Sequence, residues 1–365
     1  MNIYFIILLI ISIFSILEIV LKFDKTKKYV FLTVFFWLFV LLLIAFAGFR
    51  RVGADFTSYE VIFDVLQTDN SWLDWRVITL EPGFKFLIIL LRSTSFQFSL
   101  IICALIAVFL KAKFIKKYSP YPILSLVIYF TSLYVIKEMG QIRHGIALGI
   151  ILWSFDALAR KNSKRFLLLT LLAVLFHWSA FCVLPLYFFG NRKIPSYVYI
   201  GVMFVIFFMI LFNLTSFIST LMNLVPIDAI KGKADSYLSG DSAFAVRLGI
   251  NSTFIFLIGI MSILLFFRKK MTEKFPYFDL ILNIYILGIF YFGFFNAVSE
   301  FALRLNVYFR MIDIIILPMI LTMFSMERII IGVLLCINSF LTLSKYEQSP
   351  ISKYFFPYKS ILDED

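Results

Sequence analysis

Charge is scarce in this chain. Only 15% of its 365 residues are charged and 62% are hydrophobic, against about 25% and 45–50% in a soluble globular domain. The three cysteines, Cys103, Cys182 and Cys336, are scattered through apolar segments with no pairing or metal-type spacing, so they read as core residues rather than disulfides or ligands. Two histidines and no clustered acids argue against a bound metal. There is no phosphate-binding loop, no glycine-rich dinucleotide fingerprint and no Ser–His–Asp signature, which argues against a cytosolic nucleotide as substrate. Internal repeats, heptads and low-complexity tracts are also missing, and no cofactor is expected.

What is present is apolar sequence in blocks of 16–22 residues, the length of a membrane-crossing helix. The pattern predicts an all-α polytopic membrane protein, one integral domain over residues 1–365. About ten spans are expected, at 3–21, 29–49, 96–112, 121–137, 144–159, 197–214, 247–267, 278–295, 303–324 and 328–344. Residues 1–21 lack a basic leading region and a small-residue cleavage site, so they read as the first span rather than a signal peptide.

The net charge of +12 does not point to nucleic acid. The basic residues fall in short loops, at Lys22–Lys28, Lys111–Lys117, Arg160–Arg165, Arg192/Lys193 and Arg268–Lys274, with Arg328 joining them. Positive charge of this kind marks the cytoplasmic side. The acidic segments are then outside: a loop over 50–95 with an interfacial helix at 82–95, a second loop over 215–246, and the tail 345–365. The apolar stretch 165–190 has basic clusters at both ends, so it is expected to enter and leave on one side as a re-entrant helical hairpin. A single span remains the alternative.

Arginines and a few acids stand at the outer ends of these spans, where a charge costs a few kcal/mol and is by default functional. In AGFRRVGADFTSY, Arg50 and Arg51 offer planar forks of donors suited to phosphate oxygens. They serve equally as interfacial anchors. Asp55 follows as an orienting group or base, and Tyr59 as a sugar-stacking ring. Glu81, in Glu81-Pro82-Gly83, fits a helix start or a base for a sugar hydroxyl. Arg143 lies in KEMGQIRHGIA with Glu138 as a possible partner. His144 points about 100° away round a helix and need not share the site.

His177 sits in LAVLFHWSAF with only Ser179 as a polar neighbour, so its partner must come from another helix. It is a candidate acid or base. Arg304 and Tyr308 share a helix face, while Arg310 and Asp313 are spaced to pair with each other. Arg247 follows the second outer loop, which carries Tyr237 as another aromatic surface for a sugar.

Taken in order, FRRVGADFTSY, EPGF, QIRHGIA, LFHWSAF, the Arg304–Tyr308 helix and the closing PYKSIL resemble the EpsG-like branch of Wzy-type bacterial polysaccharide polymerases, over about residues 47–362. The resemblance implies a membrane glycosyltransferase of GT-C-like architecture on the outer face of the bacterial cytoplasmic (inner) membrane. Such an enzyme joins undecaprenyl-pyrophosphate-linked oligosaccharide repeat units into O-antigen, capsule or exopolysaccharide. The implied partners are that lipid-linked substrate, a chain-length regulator and a flippase.

Arg51, Asp55 and Tyr59 match the first motif, and Glu81, Arg143, His177 and Arg304 the later ones. The implied roles are pyrophosphate binding by Arg51, Arg143 and Arg304, with Arg50 and Arg247 beside them. Glu81 or Asp55, with His177 as the alternative, would be the base, and Tyr59, Tyr237 and Tyr308 would meet sugar. An O-antigen ligase or other lipid-linked glycosyltransferase, and then a polysaccharide flippase, are the competing readings.

Overall fold

The computed structural model describes residues 2–22, 30–68, 80–214 and 247–363. Among them no strand occurs, and the chain is helical as the apolar blocks predict.

Helices α1 (Ile3–Leu21) and α2 (Val30–Gly48) open the chain. The Asn2 side chain caps α1 by accepting from the Tyr4 amide. Then come α3 (Phe56–Thr68), α4 (Pro82–Leu91) and α5 (Phe96–Tyr118). Pro82 starts α4, where its missing N–H costs nothing. Ser95 caps α5 from its side chain, and Lys116 and Lys117 close it against the helix dipole.

Helix α6 (Pro122–Tyr129) runs directly into a π-helix over Phe130–Glu138. The Met139 amide still reaches five residues back, to Tyr134. Helices α7 (Ile142–Ala159) and α8 (Ser163–Phe176) follow, then a 3-10 turn over Trp178–Val183 and the short α9 (Leu186–Phe189). The remainder is α10 (Ser196–Leu211), α11 (Ser252–Phe266), α12 (Arg268–Lys274), α13 (Phe278–Phe294), α14 (Ser299–Arg310), α15 (Asp313–Leu321) and α16 (Glu327–Gln348).

Five of these, α1, α2, α5, α7 and α16, are long and apolar enough to cross a membrane, or six if α11 and α12, bent by 73°, count as one span. Helix sides that expose Val30, Leu41, Phe204 and Leu334 fit a hydrocarbon surround rather than water. The chain is thus a helical membrane protein.

Some boundaries differ from expectation. The span expected over 303–324 breaks at Met311–Ile312 into α14 and α15, with Asp313 in the first turn of α15 where the dipole favours an acid. Helix α5 runs six residues past its expected end, to Tyr118. Stretch 165–190 is helical to Phe176 and turns at His177. The acidic segment 69–79 and the second outer loop 215–246 lie outside the described residues.

The chain divides into two compact units. One comprises Met1–Phe155, Leu168–Trp178 and Asp313–Asp365. In it α2 packs along α5 and α1 along α6 and α16. The segment after α16 laces back onto the end of α2. The Arg51 amide donates to Lys359 O at 2.8 Å and the Ile361 amide to Phe49 O at 3.0 Å, around an antiparallel bridge between Arg50 and Ser360. Gly53 joins this strap through its amide to Tyr354 O at 2.8 Å. Its φ of 140° is open to glycine, and a Cβ there would run into the Met139 carbonyl.

The other unit comprises Asp156–Leu167 and Ser179–Ile312. Its α13 packs against α10, α11 and α14. Buried Asn283 on α13 accepts from Tyr199 at 2.6 Å and donates to the carbonyls of Phe189, Gly190 and Arg192, satisfying the end of α9.

Candidate functional site

The first unit gathers its polar side chains around nine residues, KEMGQIRHG at 137–145, where the π-helix ends and α7 begins. A π-helix carries one more residue per turn than an α-helix and recurs at functional sites.

Arg143, in the first turn of α7, forms an ion pair with Glu81 from the residue capping α4. Its Nε donates to the Tyr59 hydroxyl on α3 at 3.3 Å, and its guanidinium lies 5.8 Å over the Tyr59 ring. Two segments distant from it in sequence therefore fix this arginine. The Glu81 side chain makes no capping bond to its own helix, so its carboxylate is turned to Arg143. Burial pushes the Tyr59 phenol above its ordinary value, and Arg143 draws it partly back. Tyr59 accordingly stays a neutral hydroxyl. The Arg143 side chain remains 27% exposed.

Beside it, Lys137 Nζ donates to Gln141 Oε1 at 2.6 Å and sits 3.3 Å from His144 Nδ1. The His144 ring stacks on His177, with centroids 4.3 Å apart and planes within 15°. His177 lies just past the end of α8, so the partner expected from another helix is His144. Helix α4 reaches this turn through Gly83, where a Cβ would stand 2.9 Å from the Leu175 carbonyl oxygen. Only a residue without a side chain lets the first turn of α4 come so close.

A third pair lies deeper. Lys111 on α5 faces Glu138 at 2.9 Å with both side chains closed to solvent. Lys111 also donates to Gly145 O at 2.5 Å. Two expectations are corrected here. Glu138 pairs with Lys111, while Arg143 takes Glu81; the π-helix directs Glu138 inward. Lys111, placed by its neighbours in a cytoplasmic cluster, is a buried strut of α5. Arg328, grouped with the same clusters, is also largely buried and donates to the Tyr121 hydroxyl at 3.3 Å.

The other expected site residues are placed as follows. Arg50 is 1% exposed and gives Nε to Met139 O at 2.9 Å and Nη1 to Ala47 O. Its fork holds backbone rather than reaching a ligand. Arg51 is exposed on the strap, and Asp55 is half-buried just ahead of α3. In the second unit, Arg304 pairs with Glu300 one turn back, and buried Tyr308 shares a hydrogen bond of 3.1 Å with Ser179. Arg247 donates to Ile210 O at 2.6 Å, and Arg310 lies 5.2 Å over the Phe256 ring. Tyr237 lies outside the described residues. All three cysteines are buried and unbridged.

Sequence reasoning passed over Lys137, His144 and the Lys111/Glu138 pair. No spacing relates Lys137 to His144, because the winding is π up to Glu138 and the helix is interrupted before Ile142.

The sequence model of the EpsG family matches residues 33–360. The amylovoran biosynthesis protein AmsC of Erwinia amylovora is 26% identical over 206 residues, which are 53% of this chain and 55% of that protein. The chain thus matches about half the length of this curated relative. No solved structure matches it.

Proposed function

This chain belongs to the EpsG family, and we propose that it is a Wzy-like polysaccharide polymerase of the bacterial cytoplasmic membrane. In this reading it transfers a growing glycan from undecaprenyl pyrophosphate to a sugar hydroxyl of the next lipid-linked repeat unit, on the outer face. The similarity to an amylovoran biosynthesis protein supports an exopolysaccharide as product. A chain-length regulator and a flippase are its expected partners.

The observation that carries the reading is Arg143, held from two sides by Glu81 and Tyr59 with its side chain partly exposed. A lipid pyrophosphate is already a good leaving group. What remains for the protein is to meet the charge that grows on it and to accept a proton from the attacking hydroxyl. Fixed donors aimed at developing charge are usually the largest catalytic contribution, and a guanidinium meets phosphate oxygens two at a time. Arg51, on the strap pinned to Lys359, supplies a second cation. Glu81, Asp55 and His177 are the groups able to take a proton. The proposed site uses residues of the first unit alone.

The test is the glycan ladder of a strain lacking this protein, complemented with wild type or Arg143→Ala. Collapse to one repeat unit, restored by wild type and not by a membrane-inserted Arg143→Ala, is the expected result. An unchanged ladder in the deletion strain would overturn the polymerase reading. Long lipid-linked polymer that never reaches its final acceptor would indicate a ligase instead.

A further inference from the structure

The chain has two histidines in 365 residues, and the fold stacks one on the other, 4.3 Å between centroids. Lys137 Nζ lies 3.3 Å from Nδ1 of His144. An ammonium has three donors and no acceptor, so Nδ1 presents its lone pair and the His144 proton sits on Nε2. His144 is 1% exposed, whereas His177 is half-buried. Two imidazolium rings at this separation, away from water and beside a lysine, would repel strongly. The stack therefore holds one proton at most, and Lys137 directs it to His177.

The elements around His177 bring other charged groups: Arg143 on α7, Glu138 on the π-helix, and Glu81 and Lys85 on α4. Glu138 faces Lys111, and Glu81 accepts from Arg143. Glu138 and Glu81 are thus engaged by cations, and His177, half-buried and stacked on His144, is a third group of this region able to receive a proton.

We propose that His177 accepts the proton of the attacking sugar hydroxyl, and that His144 and Lys137 are positioning residues that fix its ring and keep it unprotonated between turnovers. The proposal rests on the polymerase reading of the same site. In the step, the acceptor oxygen bonds to the anomeric carbon of the donor glycan while its hydrogen passes to a ring nitrogen of His177. The anomeric C–O bond breaks, and its electron pair leaves with the lipid pyrophosphate, toward Arg143. His177 then gives the proton to water.

Because these are the chain's two histidines, full-length protein labelled with 15N-histidine in lipid nanodiscs yields ring signals from His144 and His177 alone. Expected is one ring that stays neutral with its proton on Nε2, and one that takes up a single proton as pH falls. Lys137→Met should release the tautomer of the first ring, and Lys137→Arg should keep it. Two rings titrating independently, or His144 carrying its proton on Nδ1, would overturn the proposal without any variant having to fold.

The kinetic arm uses the lipid-pyrophosphate-linked repeat unit extracted from a deletion strain. His177→Gln should lower kcat about 100-fold or more with little change in KM. Lys137→Met should move the rising limb of the pH–rate profile to higher pH, because the stack then holds its proton more tightly, and Lys137→Arg should move it back. Wild-type kcat in His177→Gln would refute the role of His177 while leaving the polymerase reading intact. Failure of wild type to extend the extracted unit would instead remove the polymerase reading, and the catalytic role with it.

Discussion

Lys111 and Glu138 face each other at 2.9 Å, Nζ to Oε1, with neither side chain open to solvent. The pair ties α5 to the end of the π-helix, and the Lys111 bond to Gly145 O extends the tie into the first turn of α7. Arg143 and His144 are the two residues just before that glycine. The buried pair is thus the footing on which the site stands.

Removing one member leaves the other charge buried without compensation, at a cost of about 3–5 kcal/mol. Lys111→Met should therefore lower the thermal midpoint in detergent sharply. The double variant Lys111→Met/Glu138→Leu should recover most of the loss. A double variant as unstable as the single one would show that the pair is not the cause.

Arg143 is fixed by one carboxylate and one phenol. Tyr59→Phe removes a hydrogen bond to a charged group, a change of about 1.5–3 kcal/mol, and should slow polymer formation by about 10-fold or more while leaving insertion unchanged. Arg143→Lys keeps the charge and loses the fork, so it should be more damaging than Tyr59→Phe. Ladder length and rate in complemented strains would rank the two.

Gly83 and Gly201 offer a controlled contrast. A Cβ at Gly83 meets the Leu175 backbone at 2.9 Å, whereas one at Gly201 meets nothing within 4 Å. Gly83→Ala should cost about 1–3 kcal/mol through forced displacement. Gly201→Ala should be neutral or gain up to about 1 kcal/mol from helix propensity. Melting of both variants in one detergent would check the order.

Tyr358 sets an alkaline limit. Its hydroxyl donates to Phe46 O at 3.0 Å and its ring stacks on Phe46 at 4.0 Å. Burial pushes the phenol from its ordinary 10.0 up to about 12. The folded chain holds this proton more tightly than the unfolded one, so the linked stability is complete below about pH 10 and lost as pH climbs toward about 12. Tyr358→Phe should flatten that part of the alkaline decline, followed by melting as a function of pH.

Much of this was legible in the sequence, for reasons that also mark where legibility stopped. Apolar block length gives helices such as α1 and α2 almost to the residue, because a bilayer fixes the length. Arg143, Glu81 and Tyr59 stand out individually as polar groups at the ends of greasy segments. That they meet is a tertiary fact, since residues 59, 81 and 143 have no spacing that relates them.

Ordinary helical spacing misled at Glu138. The π-helix rotates it away from Arg143 and onto Lys111, and nothing in FTSLYVIKE announces the wider turn. Lys111 misled for a different reason. Three lysines follow it within six residues, so composition grouped it with the basic cluster at the end of the expected span, whereas α5 continues to Tyr118 and carries it inside. His144 was set aside because it leaves the Arg143 face, and it does; it leaves toward His177.

The π-helix has a consequence for descent. A wide turn of this kind is where a chain can gain or lose one residue without breaking the helix. Losing one between Phe130 and Glu138 while the wide turn tightens to ordinary winding would leave the later side chains close to their present facings, since eight residues at about 100° turn about as far as nine in the wider helix. The partnerships of Lys137 with His144 and of Glu138 with Lys111 would then survive the loss. A single-residue loss from an ordinarily wound helix would instead swing every later side chain about 100° round the axis. Relatives of unequal length there should therefore be compared by facing, not by column.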